Sequence, residues 1–262
     1  MSNAIVTICN RDYGPLLDLW ISSLRPLTSL PLYVLTINDF VPVTRSNIIV
    51  LPINPSGNPF PPHLPDHVCA EKLRLFEHLP PEISRVLFLD VDVWVLHPFW
   101  NIDGCFGGSR SELVMCPDLF VVYKERMNDE FQPYDPGFQM RFNSDGSYCY
   151  YNTGVFFASR RTHAQWFSRF LETWRDYVIR MARYPSIFDQ NIFNYCLIRY
   201  SIEVQPLSVL NNCLRQYEPQ IESLRLLTLN AQPVNAYHFN GGDARMKHAR
   251  WLEMRARLEE TR

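Results

Sequence analysis

No run of about 18 uninterrupted apolar residues occurs in this 262-residue chain, so no segment reads as a membrane-spanning helix. A strong charge of either sign is also missing. The formal net charge is −2, which gives no global field to draw the chain to nucleic acid or to an acidic membrane. There is no CxxC pair. The seven cysteines (Cys9, Cys69, Cys105, Cys116, Cys149, Cys196 and Cys213) are odd in number and scattered, several of them inside apolar segments. That pattern argues against a disulfide framework and predicts buried free thiols in a reducing cytosol. Neither a Gly-rich P-loop nor a GxGxxG is present. The opening "MSNAIVTICN" has no basic stretch leading into a long apolar run, which predicts no secretory signal.

What is present describes a folded globular protein. Hydrophobic residues make up 47% of the chain and charged residues 20%, enough apolar material for a sizeable core. The first half alternates strand and helix signals. "AIVTICN" leads to "GPLLDLWISSL", ended by Pro26; the strand runs "PLYVLTIND" and "NIIVLPI" follow, then the helical "DHVCAEKLRLFEHL" and the strand "RVLFL". Such alternation predicts an α/β fold with a mostly parallel sheet flanked by helices, whose central strands are apolar throughout. From Cys116 to Tyr150 the pattern gives way to a long irregular segment rich in aromatics, of the kind that carries function in a compact domain. "YYNTGVFFAS" returns as a strand. "THAQWFSRFLETWRDYVIRMAR" sets Trp166, Phe167, Phe170, Leu171, Trp174, Tyr177, Val178 and Met181 on one side of a helix, a core-packing stripe. "FDQNIFNYCLI" predicts another helix, "SIEVQPLSVLNN" and "VNAYHFNGG" close the sheet region, and "RMKHARWLEMRARLEE" is a charged terminal helix. One domain over residues 1–262 is the expectation, with its C-terminal helix over 244–262.

The stretch "RVLFLDVDVWVL" carries Asp90 and Asp92 inside what otherwise reads as a buried strand. Ionised carboxylates are costly to bury unless they are paired or bound to a cation. An Asp-x-Asp arises about once by chance in a chain this long, so its setting decides its meaning. Residues two apart on a strand face the same way. The pair follows five strand residues, which places both carboxylates together at the carboxyl edge of the sheet, where open α/β folds bind ligands. Two carboxylates there make a hard oxygen site suited to Mg²⁺ or Mn²⁺. Two other readings stand beside this one. Aspartates often satisfy the backbone of a following turn. In aspartate-dependent phosphatases of the haloacid dehalogenase type the first Asp is a nucleophile, but Val93 and Trp94 follow the pair here and no Asp-Asp occurs downstream.

Five segments, in order, resemble the GT-A glycosyltransferases, family 8 above all, which includes glycogenin and bacterial lipopolysaccharide glucosyl- and galactosyltransferases. "TICNRDYGPLLDLWISSL" is similar to the family's opening strand, nucleotide-binding loop and first helix. "EKLRLFEHLPPEISRVLFLDVDVWVL" resembles its Lys-Leu helix and metal-binding strand, and "YYNTGVFFAS" its Asn-x-Gly-Val segment. "FDQNIFN" resembles its Asp-Gln-Asp helix start, and "AYHFNGG" its closing His-Phe-x-Gly. The resemblance spans nearly the whole chain. It implies a single GT-A domain with a Rossmann-like sheet, and a metal-dependent retaining transfer of a hexose, glucose or galactose, from a UDP-sugar to a glycan, lipid-linked or protein acceptor.

By the same resemblance Asp90, Asp92 and His238 would hold Mn²⁺ (or Mg²⁺) on the donor diphosphate, with Val91 between the aspartates at the nucleotide. Asn10 and Tyr13 would meet the uridine, Tyr13 stacking on the base and Thr7 reaching it through its backbone. Lys72 would contact a phosphate or the sugar, and Gly241 the nucleotide. Asn152 and Gly154 would approach the sugar, Asp189 would bond its hydroxyls, and Gln190 would lie near the anomeric carbon. An amide is a poor nucleophile, so stabilising an oxocarbenium-like transition state suits Gln190 better than forming a covalent bond. Residues 117–150 would shape the acceptor site. Structural alternatives accompany several of these: a strand-end histidine for His238, a loop-to-helix aromatic for Tyr13, a solvated helical lysine for Lys72 and a helix N-cap for Asp189.

Two departures from the family pattern matter. The Lys that follows its His-x-x-Gly is displaced here into "HFNGGDARMKHARW", which leaves Lys247, ranked ahead of Arg245, as the phosphate cation. Asn191 stands where the family usually has an acid. The altered cation motif motivates a competing reading, a catalytically silent nucleotide-sugar-binding or scaffold protein of the same fold. His63 and His67 lie among prolines that prevent a helical metal pair, and His97 precedes a proline at a strand end. The terminal helix allows peripheral contact with an anionic membrane, while its glutamates favour a solvated or packed helix. The expected location is cytoplasmic, with peripheral contact at the inner face of the membrane open. No nucleic-acid partner is expected.

Overall fold

Strand β1 (Ser2–Cys9) is the centre of the molecule, and the chain builds outward from it in both directions. The computed structural model describes residues 2–37, 48–53, 68–99, 113–119, 121–142, 146, 149–217, 220–221 and 227–260; His63, His67 and Cys105 lie outside them. Helix α1 (Gly14–Leu24), then β2 (Leu32–Ile37) and β3 (Ile48–Ile53), extend the sheet to one side. After a 3₁₀ segment (Val68–Arg74) and the short α2 (Leu75–His78), β4 (Ile83–Leu89) returns to the opposite side of β1. The strand β5 (Val93–Val95) follows at once, then β6 (Leu113–Pro117), helix α3 (Val121–Phe131) and β7 (Tyr151–Ser159). A continuous helical stretch opens with an α-helical turn at Arg160–Thr162, passes through a π-helical turn at His163–Phe167 and becomes α4 (Ser168–Met181), and α5 (Phe188–Arg199) follows. The remainder comprises β8 (Gln205–Pro206), β9 (Cys213–Leu214), a ribbon of β10 (Gln220–Ile221), β11 (Leu227–Leu229) and β12 (Gln232–Pro233), then β13 (Ala236–His238) and α6 (Ala244–Glu260).

The seven-stranded sheet runs β3-β2-β1-β4-β7-β6-β8, and only β7 runs against the others. The expected mostly parallel α/β sheet is what forms. Its central strands are apolar on both faces because both are covered. Val6, Phe88, Met115 and Phe156 point into a core closed by α4 and α5, while Ile5, Leu87, Leu89, Val114 and Phe157 point into a second core closed by α1 and α6. The aromatic stripe of the long helix packs as expected, with Phe167, Phe170, Trp174, Tyr177 and Val178 buried. Trp251 of α6 stacks on Phe239 at 5.1 Å, with Ala244 and Met254 packed against the same core, so this charged helix is docked rather than solvated all round.

Three expectations need correction. The 116–150 segment is not irregular throughout: α3 buries Met127, Glu130 and Phe131, and Phe131 stacks on Tyr195 of α5 at 4.5 Å. The helix before β4 is mostly 3₁₀ rather than α. Most important, Asp90 and Asp92 do not sit on one continuous strand. β4 ends at Leu89, the chain turns with the Val93 amide donating to the Asp90 carbonyl (3.0 Å), and β5 joins a different, three-stranded sheet, β5-β13-β9. The six described cysteines are free thiols, and burial pushes Cys9 and Cys213 up to about 12.

Candidate functional site

Strand order reverses beside β1, since β2 lies on one side of it and β4 on the other. The carboxyl ends of β1 and β4 therefore open a crevice, the usual ligand position in such sheets. A cleft of about 580 Å³ occupies it, lined by Asn10 and Tyr13 after β1 and by Asp90, Val91 and Asp92 after β4. It is lined further by Asn152 and Gly154 on β7, by Asp189 and Gln190 on α5, and by His238, Gly241 and Lys247. All the expected site residues meet there except Thr7. That residue is wholly buried within β1, in register with Val34, and the cleft is lined by Ile8 instead.

The small sheet delivers the histidine. β13 pairs with β5 so that His238 lies opposite Val93, and the Phe239 amide donates to the Asp92 carbonyl at 3.0 Å. His238 Nε2 is thereby held 3.3 Å from Asp92 Oδ1 and 3.9 Å from Asp90 Oδ2, and one ligand atom from each of the three residues lies within 4.8 Å of the others. Two carboxylates and an imidazole at these separations fit a divalent ion such as Mn²⁺ or Mg²⁺, which needs ligand contacts of roughly 2.0–2.2 Å. Asp90 is the open member, with 27% of its side chain accessible, whereas Asp92 is buried at 5%. Gly154 makes the approach possible. A Cβ there would lie 2.3 Å from His238 Cε1 and 2.9 Å from Asp90 Oδ2.

Charges in the cleft are compensated in pairs. Lys72 is buried rather than solvated, and its Nζ lies 2.9 Å from Asp90 Oδ1 and 3.0 Å from Asp189 Oδ2. Burial alone would lower the Lys72 pKa, but Asp189 and Asp90 together raise it. Lys247 Nζ sits 2.6 Å from Asp92 Oδ2 and 5.3 Å from the centre of the Tyr13 ring. Arg245, the other candidate cation, is exposed and does not line the cleft. Burial and the charge of Asp92 raise the Asp90 pKa against the pull of Lys72. Burial would raise Asp92 too, yet His238 and Lys247 overrule it and hold that carboxyl below its ordinary value. Asp189 is not an N-cap: Ile187 holds that position, and the Asp189 carboxylate instead accepts from Thr153 Oγ1 at 2.7 Å. Asn10 does have a local duty, accepting from the Tyr13 amide at 3.2 Å to cap the turn Arg11–Tyr13.

Residues that sequence reasoning did not single out complete the wall. Gln190 Nε2 donates to Asp118 Oδ2 and to Tyr150 Oη, each at 3.0 Å, while its Oε1 accepts from Asn152 Nδ2 at 2.9 Å. Tyr150 Oη donates to Asn191 Oδ1 at 2.7 Å, and Asn191 Nδ2 donates to the buried Glu130 carboxylate of α3. Asn191 thus bridges Tyr150 on one side and the Glu130 carboxylate of α3 on the other. Only the placement of Asp118 and Tyr150 within the 117–150 segment pointed toward them.

No protein-family model matches the chain, and neither does any curated protein sequence. Solved structures do match. The galactosyltransferase LgtC, in complex with donor and acceptor sugar analogues, aligns with a TM-score of 0.66 at 20% identity, over 97% of this chain and 96% of that one. An active-site mutant of LgtC aligns at 0.63 and 19% identity over the same shares, 97% and 96%. Mouse xyloside xylosyltransferase 1, in its apo form, aligns at 0.62 and 14% identity over 91% of this chain and 97% of that one. The chain has the GT-A fold of these glycosyltransferases, as the sequence resemblance implied.

Proposed function

We propose that this protein is a metal-dependent retaining glycosyltransferase that moves a hexose, glucose or galactose, from a UDP-sugar to a glycan, lipid-linked or protein acceptor. One observation carries the reading: Asp90, Asp92 and His238 converge at the crevice of a GT-A fold, with Tyr13 on one side and Gln190 on the other. Solved proteins of this fold include a galactosyltransferase bound to donor and acceptor analogues and a xylosyltransferase.

In this reading Tyr13 stacks on the uracil, and Lys247 moves from Asp92 onto the diphosphate. Asp90, Asp92 and His238 would hold a divalent cation, Mn²⁺ or Mg²⁺, which when bound would supply positive charge against the departing UDP. Asn152, Gly154 and Asp189 face the hexose, with the Lys72 ammonium 3.0 Å from the Asp189 carboxylate. Gln190 Oε1 stabilises positive charge developing at the anomeric carbon; hydrogen bonds from its amide nitrogen to Asp118 and Tyr150 polarise it in that direction. The acceptor attacks from the leaving-group side, over a wall that includes Asp118 and the segment up to Tyr150. No helix among the described residues is long and apolar enough to cross a membrane. We place the protein in the cytoplasm, with peripheral contact at the inner face of the membrane where the acceptor is lipid-linked.

Calorimetric titration of UDP with and without Mn²⁺, followed by hydrolysis assays on UDP-glucose and UDP-galactose, tests the proposal. Metal-dependent UDP binding and turnover of one donor are expected, and Asp92→Asn should abolish the binding. UDP that fails to bind in the presence of Mn²⁺ sinks the reading. Binding with neither hydrolysis nor transfer across an acceptor panel would favour the silent scaffold instead, against which the reach of Lys247 to Asp92 already argues.

A further inference from the structure

We propose that Asn212 is the positioning residue for His238, holding a proton on Nδ1 so that Nε2 is the nitrogen presented to the space between Asp90 and Asp92 and the one that can give its lone pair to a cation there. The Nδ1 assignment stands on hydrogen-bond geometry alone; its consequence for a cation rests on the function proposed above.

The chain of inference begins at a group whose role is fixed. The backbone N–H of Gly154 can only donate, and it lies 2.8 Å from Asn152 Oδ1. That settles the Asn152 amide, with its oxygen toward Gly154 and its nitrogen toward Gln190 Oε1, 2.9 Å away. A second anchor agrees from the opposite end: Gln190 Nε2 faces Asp118 Oδ2 at 3.0 Å, and an ionised carboxylate only accepts. The same Asn152 oxygen has another neighbour, Asn212, at 2.8 Å. Because the Asn152 atom is an oxygen, the Asn212 atom must be the amide nitrogen. Asn212 therefore presents its Oδ1 to His238 Nδ1 at 3.0 Å, and an amide oxygen requires a hydrogen there.

Asn152, Asn212, Gln190 and His238 are all buried, at 6%, 2%, 6% and 4% exposure. Reversing the Asn212 amide would set its oxygen against the Asn152 oxygen at a buried contact. Backbone pairing keeps the partners in place, since β13 lies between β5 and β9 with His238 in register with Leu214, two residues beyond Asn212. A backbone amide of β7 thus sets, through two asparagines, which nitrogen of a candidate metal ligand faces the carboxylates. Second-shell partners of this kind fix the tautomer of ligating histidines.

The test combines two readouts. Long-range ¹H–¹⁵N spectra of ¹⁵N-histidine-labelled protein, with the His238 signals assigned from a His238→Gln variant, report which ring nitrogen carries hydrogen. Nδ1 should be protonated both without metal and in the presence of Mg²⁺ and UDP. A proton found on Nε2 with Nδ1 bare overturns the proposal, whatever the protein's activity. Calorimetry with Mn²⁺ and UDP then compares Asn212→Asp with Asn212→Leu. Asp keeps an acceptor for Nδ1–H while its second oxygen loses the donation to Asn152 Oδ1, so the Asp variant should lose less than Leu, which should lose about 10- to 100-fold in metal affinity. Equal losses in both variants would mean that the residue only packs, and would refute positioning. Absence of Mn²⁺ binding in the wild type would instead count against the proposed function, with the spectra still deciding the Nδ1 assignment.

Discussion

Lys247 Nζ lies 2.6 Å from Asp92 Oδ2, so an ammonium from α6 already holds one of the carboxylates that a divalent ion would use. Burial would lower the Lys247 pKa and Asp92 raises it, which keeps the ammonium charged. Free metal must therefore compete with a built-in cation, whereas a metal arriving with a diphosphate offers Lys247 a new anion. Lys247→Gln should bind Mn²⁺ alone several-fold more tightly and bind UDP in saturating Mn²⁺ about 10-fold more weakly, the scale of one lost charge-assisted hydrogen bond. Calorimetry of the two titrations checks the opposite signs. Both affinities moving the same way would refute the exchange.

Gly154 touches both candidate ligands at once, which makes its missing side chain a requirement of the site. A Cβ would stand 2.3 Å from His238 Cε1 and 2.8 Å from Nδ1, distances that real contacts do not show. Gly154→Ala must push the imidazole away from Asp92 or shift β7. Overpacking of this kind costs about 1–3 kcal/mol. The expected result is a folded protein with a lowered urea midpoint and no metal-dependent UDP binding, and wild-type Mn²⁺ affinity in the variant would contradict the packing account.

The sheet was legible because the runs "AIVTIC" and "RVLFL" are apolar without alternation, and only strands covered on both faces read that way. Asp90 and Asp92 were legible as a pair, but their setting was misread: the apolar Val93, Trp94 and Val95 suggested continued strand, although they belong to a second sheet with its own apolar face. A periodicity argument sees burial and not the sheet that provides it. Thr7, assigned a backbone contact by resemblance alone, lies buried within β1, and Ile8 lines the cleft. Asn212, Asp118 and Glu130 left no local signal. Each acts through partners 26 to 72 residues away in sequence, contacts that only the fold creates.

His163 should make stability pH-dependent. It is buried with its ring between Phe76 and Phe167, at 5.6 and 5.7 Å, and Nε2 has no partner among the described residues. Burial lowers its pKa. In the unfolded chain a histidine titrates near 6.5. Below that pH, down to the lowered folded value, the unfolded state binds more protons, so stability is lost as pH falls, with a slope of at most about 1.4 kcal/mol per pH unit. Urea midpoints at several pH values between neutrality and mild acid should fall less steeply for His163→Phe than for wild type. Identical slopes would show that His163 does not contribute.

Lys72 is the counter-ion that lets two acids share the cleft. Its ammonium lies 2.9 Å from Asp90 Oδ1, 3.0 Å from Asp189 Oδ2 and 3.3 Å from the Thr153 carbonyl, with only 6% of its side chain accessible. Lys72→Met leaves both carboxylates uncompensated, and breaking a buried pair in this way costs about 3–5 kcal/mol. Asp90 keeps some access to water, so the penalty should fall chiefly on Asp189. Two consequences separate this from a loss of packing. Adding Asp189→Asn to the Lys72→Met variant should recover part of the stability, because it removes the stranded charge. Saturating Mn²⁺ should raise the melting temperature of Lys72→Met more than that of wild type, because a divalent ion on Asp90 replaces the missing positive charge. If neither the second substitution nor the metal restores stability, Lys72 holds the site through its alkyl chain against Phe88, 5.2 Å from Nζ, and not through its charge.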